Sequence, residues 1–134
     1  MLNIKTLKPL FTGILTTGDC YTEDMRTGGV IVANKGDLKP YQKVLAIGST
    51  VRDIKEGDQV MIDLSHFAVM KIDPNSIKKE FDMDKVVRWN IPWITVKGKE
   101  CLLINDRDVK FIFEGEETNE PLIMPEKPKI ITMN

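Results

Sequence analysis

The chain has 134 residues, a charged fraction of 29% and a formal net charge of −1. That length suits one ordinary domain able to bury a core without staples, and the balanced charge argues against nucleic acid or an anionic membrane as the main partner. Met1-Leu2-Asn3-Ile4-Lys5-Thr6 has no apolar leader core, no later run approaches the ~18 apolar residues of a membrane span, and Cys20 and Cys101 match no metal or redox spacing, which reads as two reduced thiols in a cytoplasmic protein.

In chain order the elements read mostly as short strands. Leu7 to Thr16 is apolar but interrupted by Pro9 and Gly13, which predicts an edge-type strand with its stronger half at Ile14-Leu15. Thr22 to Gly36 is polar and glycine-rich on both sides, with Val30-Ile31-Val32 stranded in the middle. This composition suits a mobile segment that closes on something else; a core strand following a Gly28-Gly29 turn fits it as well. Lys43 to Gly48 is a strand ended by glycine. Ile54 to Asp58 is a tight turn feeding Gln59 to Leu64, where Val60, Ile62 and Leu64 fall on one face at period two.

The region from His66 to Ile94 is less regular. Phe67 to Ile72 fits another strand, and Asp73-Pro74 fits a helix start with Asp73 as N-cap, placing Ile77 and Phe81 on one face of about two turns. Ile94-Thr95-Val96 and Cys101 to Ile104 flank Lys97-Gly98-Lys99, a hairpin with a glycine turn. Val109, Phe111 and Phe113 alternate in a last strand. After Gly115 the chain is acidic and spaced by Pro121, Pro125 and Pro128, so residues 115–134 read as an extended tail. Many short strands separated by turns predict an all-β barrel.

Little in the chain points to catalysis. His66 stands beside Ser65, but no second histidine or suitably spaced carboxylate supports a triad, so a structural or solvent-facing role is expected. Asp82-Met83-Asp84 has too few oxygen ligands for a cation and reads as a solvated turn. Lys85, Arg88, Trp89 and Trp93 form a basic-aromatic cluster of the kind that stacks on single-stranded nucleic acid; tryptophans so placed more often cover a barrel end or pack on a neighbouring subunit. There is no phosphate-binding or dinucleotide glycine motif. The chain is expected to be no enzyme and to need neither cofactor nor metal.

Several segments together resemble the GroES-like co-chaperonins, the ring-shaped lids of chaperonin chambers. Lys8-Pro9-Leu10 followed by Ile14-Leu15 is similar to the family's opening strand, and Gly28-Gly29-Val30-Ile31-Val32 to the Gly-Gly-Ile-Val-Leu of its mobile loop. Val44-Leu45-Ala46-Ile47-Gly48 resembles the Val-Leu-Ala-Val-Gly strand, and Ile54 to Val60 the Val-Lys-Val-Gly-Asp-x-Val turn and strand. Glu100 to Glu114 resembles the closing segment, with Leu102-Leu103-Ile104 before Asp106-Arg107-Asp108-Val109. Thr12-Gly13 stands where the family has Asp-Arg. The short link from Gly48 to Ile54 leaves no room for the roof hairpin of the bacterial proteins. An insertion at about 66–95 and the tail have no family counterpart.

The resemblance implies a GroES-like partly open β-barrel over residues 1–114, with a mobile loop at about 20–36, a short helix-containing insertion and the 115–134 tail. It implies a homo-oligomeric ring that caps a nucleotide-bound chaperonin ring and serves an unfolded client indirectly, and the missing roof hairpin and the insertion would suit a divergent lid, for example a virus-encoded one. Val30, Ile31 and Val32 would be the chaperonin anchor, and Gly28 and Gly29 hinges supplying backbone freedom rather than contacts. Burying the three anchors in a partner's groove is worth about 1.5–3 kcal/mol each, and ordering ten loop residues costs on the order of 1–2 kcal/mol apiece. The ordering cost outweighs the burial gain, so one loop binds weakly and a ring of loops gains about 10²–10⁴ in avidity. The cytoplasm of a bacterium or infected host cell would be its place. The alternative is an accessory subunit of a virion or other large assembly reusing the barrel. Insert and tail would then bind, with Trp89, Trp93, Leu122, Ile123 and Met124 as candidate assembly contacts.

Overall fold

Buried apolar residues mark the central strands. Ile14 and Leu15 are buried on one segment, Val44 on a second, Val60 and Ile62 on a third, and Leu102 and Ile104 on a fourth. Each fully buried Ile, Leu or Val stabilises by about 1.5–3 kcal/mol relative to leaving it in water, so these segments must share one interior. A computed structural model, which describes residues 2–71 and 85–120, shows how they do so.

Within those residues the chain is mostly β-sheet. The strands are β1 (Gly13–Thr17), β2 (Met25–Thr27), β3 (Val30–Ala33), β4 (Tyr41–Ile47), β5 (Gln59–Ile62), β6 (Ala68–Lys71), β7 (Lys85–Trp89), β8 (Trp93–Val96), β9 (Lys99–Asn105) and β10 (Val109–Phe113). The only helical pieces among the described residues are 3₁₀ turns at Leu64–Phe67 and Asp106–Asp108. The all-β expectation holds. The helix start expected at Asp73-Pro74, with Ile77 and Phe81, lies outside the described residues, as do Asp82-Met83-Asp84, Leu122, Ile123 and Met124.

The chain divides into two compact units, Met1–Asp19 with Lys39–Glu114, and Cys20–Leu38 with Gly115–Asn134. The first unit carries a six-stranded sheet in the order β10-β5-β4-β1-β9-β8 and a separate two-stranded sheet of β6 and β7. All neighbouring pairs in the six-stranded sheet that carry register are antiparallel. The sheet is open: β10 and β8 are its edges, and no closed barrel forms among the described residues. Ile4 makes a parallel bridge with Val96 beside the β8 edge, and Lys97 N–H donates to the Ile4 carbonyl at 2.9 Å.

β1 is not the edge strand its Pro9 and Gly13 suggest. It is central, pairing with β4 on one side and β9 on the other. Pro9 precedes the ladder and so removes no donor from it. Gly13 is the first ladder residue, and its N–H closes a turn onto the Leu10 carbonyl at 2.9 Å. Leu64 also departs from expectation, because the chain leaves β5 at Ile62 and turns over Asp63, whose carboxylate accepts from Ser65 N–H and caps the 3₁₀ turn. The Lys97-Gly98 turn joins β8 to β9 as the glycine predicted, with positive φ at both residues (53° and 78°).

Candidate functional site

The second unit is built on a hairpin. Its neck is closed by a bridge between Cys20 and Leu38. Tyr21 N–H donates to the Asp37 carbonyl and Gly36 N–H to the Tyr21 carbonyl, each at 2.8 Å. Side chains reinforce this neck. Asp37 Oδ2 accepts from Asn34 N–H at 3.0 Å, and Asp24 Oδ1 accepts from Lys35 N–H at 2.8 Å. Above it β2 and β3 pair with Arg26 opposite Ile31 and Thr27 opposite Val30, after a bulge between Met25 and Arg26.

Gly28 and Gly29 form the two-residue turn with φ of 61° and 81°. A two-residue hairpin of this kind needs positive φ at both central positions, which glycine adopts without cost. Nothing lies within 4 Å of where a Cβ would stand on either residue. Backbone conformation, not crowding, is what selects glycine here.

β3 then presents Val30, Ile31 and Val32 at 63%, 47% and 63% exposure. Side chains alternate along a strand, so Val30 and Val32 share one face and Ile31 takes the other. Both faces of β3 are therefore apolar and wet. The segment is a strand after a Gly-Gly turn, but it is not a core strand. Its pairing in the described residues is with β2 alone, and an exposed apolar strand with a free edge is a template for association.

The last described residues complete the site. Asn119 Oδ1 accepts from Arg26 N–H at 2.7 Å, and its Nδ2 donates to the Asp24 carbonyl at 2.8 Å and to Glu23 Oε1 at 3.3 Å. The Glu120 carboxylate accepts from Gly28 N–H through one oxygen and from Gly29 N–H, at 3.0 Å, through the other. A cleft of about 310 Å³ lies between this segment and Thr22, Glu23, Asp24, Arg26 and Lys35. The amides of Gly28 and Gly29 thus hold a carboxylate. Sequence reasoning passed over Asn119 and Glu120 because they sit in an acidic, proline-spaced run. The signal available was a Gly-Gly turn, whose two outward amides favour an anion.

The remaining candidates lie in the first unit. Arg88 and Trp89 are exposed on β7, with Trp89 at 54%. Trp93 opens edge strand β8 at 41% exposure. Its ring also covers Gly18, where an added Cβ would stand 2.5 Å from Trp93 Cζ3, so part of that tryptophan is already used inside the unit.

His66 faces two carboxylates, one three residues before it and one distant in sequence. Its Nδ1 lies 2.8 Å from Asp108 Oδ1 and its Nε2 3.2 Å from Asp63 Oδ2. Asp108 is buried, and its Oδ2 accepts from Asn105 N–H at 2.9 Å. Ser65 Oγ donates to Asp63 Oδ1 at 2.5 Å and not to the histidine. A nucleophilic triad needs a hydroxyl on the imidazole; here both ring nitrogens face carboxylates. The group ties the end of β5 to the turn before β10. Asp63 is held below the usual carboxylate range, chiefly by the Ser65 hydroxyl. Cys20 and Cys101 are not joined in a disulfide, and burial pushes the Cys101 thiol up.

Among the described residues no group of three His, Cys, Asp or Glu side chains is placed to hold a metal ion. No helix among them is long and apolar enough to cross a membrane. Compared with known proteins, the chain matches no family model and no curated protein.

Proposed function

We propose that the chain is a co-chaperonin-like ring subunit that caps a chaperonin chamber through the 20–36 loop and assists folding without chemistry of its own. The observation that carries this reading is the exposure of Val30, Ile31 and Val32 together on a hairpin strand. Three β-branched residues on both faces of one short strand have no use in water and a clear use in a groove. The placement of the family-like segments adds support. Ile14-Leu15, Val44 to Ile47, Val60, Leu102 to Ile104 and Val109 occupy β1, β4, β5, β9 and β10, which are consecutive in the open sheet. On this reading that sheet is the GroES-like partly open barrel, the partners are a nucleotide-bound chaperonin ring and further copies of the chain, and the client is met only indirectly. Neither nucleic acid nor membrane is a partner, and the bacterial or host cytoplasm is the site of action.

The test is capture by a chaperonin ring with and without nucleotide. Wild type should be retained with nucleotide, and Ile31→Asp, which places a charge at the centre of the anchor, should be lost. Equal capture of the two would remove the proposal. A second reading, an accessory subunit of a virion or other assembly, is favoured by the exposure of Trp89 and Trp93 outside the loop unit. It gains if the loop tolerates Ile31→Asp while Trp89→Ala abolishes assembly.

A further inference from the structure

The segment ending at Glu120 meets the hairpin through backbone groups. Asn119 offers its side-chain oxygen to the Arg26 amide and its side-chain nitrogen to the Asp24 carbonyl. One side-chain amide thus reads a backbone donor and a backbone acceptor two residues apart, as a neighbouring strand would. Glu120 does something different. Consecutive residues with φ of 61° and 81° aim successive N–H groups to one side and make a small anion cradle. The Glu120 carboxylate fills it with one oxygen for each amide, and hydrogen bonds to a charged acceptor are the strong kind.

None of these contacts uses an apolar side chain of β3, and Val30, Ile31 and Val32 keep their 63%, 47% and 63% exposure. A segment that competed with a partner would cover those side chains. This one grips the backbone behind them. We propose that Asn119-Glu120 is an internal strap that holds the Gly28-Gly29 hairpin folded and its apolar strand presented, so that the loop is ordered within the chain before any partner arrives. The strap deepens the co-chaperonin-like reading and rests on it only for the identity of the partner. A loop without it must be ordered at the moment of binding, whereas a pre-ordered loop spares most of that entropy and binds more tightly.

The hairpin itself reports the strap. Amide hydrogen exchange by NMR on the full-length protein should show Gly28 and Gly29 exchanging about tenfold or more faster in Glu120→Ala, the loss of a charge-assisted hydrogen bond at each. Asn119→Ala should speed the Arg26 amide. Val44 and Leu102, in the six-stranded sheet, should keep their wild-type rates. Unchanged exchange at Gly28 and Gly29 overturns the strap. If Glu120→Ala loosens the sheet as well, Glu120→Gln decides, since it keeps one oxygen acceptor. Faster exchange at one glycine alone supports the strap, and wild-type rates at both overturn it. Chaperonin capture is a separate arm. Weaker capture of Glu120→Ala than of wild type supports presentation by the strap, and equal or stronger capture overturns that role. Failure of wild type to be captured removes the lid reading and leaves the exchange result standing.

Discussion

The side chain of Gln42 holds Asp19 by both of its backbone groups. Gln42 Oε1 accepts from Asp19 N–H at 2.9 Å and Gln42 Nε2 donates to the Asp19 carbonyl at 2.9 Å. The same Nε2 donates to the Lys39 carbonyl at 2.8 Å, and Thr17 Oγ1 donates to Oε1 at 2.7 Å. Asp19 and Lys39 are the residues at which the chain leaves and re-enters the first unit. A single buried amide, 4% exposed, therefore staples the base of the excursion that carries the hairpin.

Gln42→Glu should reveal that staple. It keeps the shape and the acceptor but sets a carboxylate oxygen against the Asp19 and Lys39 carbonyls and loses both donated bonds. The expected cost is about 2–4 kcal/mol, from bonds lost and buried acceptors left unmet. The urea midpoint should fall with little change in slope.

At the hairpin tip, Gly28→Ala has open space and the wrong backbone. Holding an L-residue near φ of 61° costs roughly 1–2 kcal/mol. Asn visits this region more readily, so Gly28→Asn should cost less than Gly28→Ala. The difference should appear in hairpin amide exchange and not in the six-stranded sheet.

The two thiols should separate by reactivity. Cys101 is 5% exposed and its thiol is raised by burial, while Cys20 is half-buried. A neutral iodoacetamide reagent near pH 8 should label Cys20 first, and Cys101 only on the timescale of opening. Because the folded thiol ionises later than the unfolded one, its contribution to stability is complete below the ordinary thiol range and is lost as pH rises through the raised value. Cys101→Ala should flatten the alkaline fall in the urea midpoint.

Ser65→Ala should move Asp63. The Ser65 hydroxyl is the leading cause of the lowered Asp63 value, followed by opposing desolvation and then by the Ser65 amide, His66 and Lys110. Stability from this carboxylate is present above its ordinary value and is lost as pH falls through the lowered one. A carboxyl NMR titration of the variant should therefore show Asp63 closer to the ordinary range, with a smaller acid loss that is complete at a higher pH.

Local pattern carried much of this fold. Val60 and Ile62 alternate into the core, Gly57 marks its turn with φ of 92°, and Lys97-Gly98 joins two strands as its composition predicts. Pro9 and Gly13 suggest an interrupted edge strand, yet β1 begins only at Gly13 and lies inside the sheet. What local pattern cannot express is pairing at a distance. Asp108 reaches His66 across 42 residues, and Asn119 reaches Arg26 across 93. In the candidate site the apolar trio and the glycine turn were legible, since both are contiguous. The polar residues that hold them were not, because a carboxylate in an acidic run carries no mark of the amides it will meet.

The distance between Glu120 and Gly28, 92 residues, also sets an order of events. A chain emerges from the ribosome N-terminus first, at about 5–20 residues per second. The hairpin is therefore made seconds before the carboxylate that fills its turn. Through that interval an apolar strand is in water, tethered at its neck and unlocked at its tip. A nascent chain halted shortly before Asn119 would hold the molecule in that state.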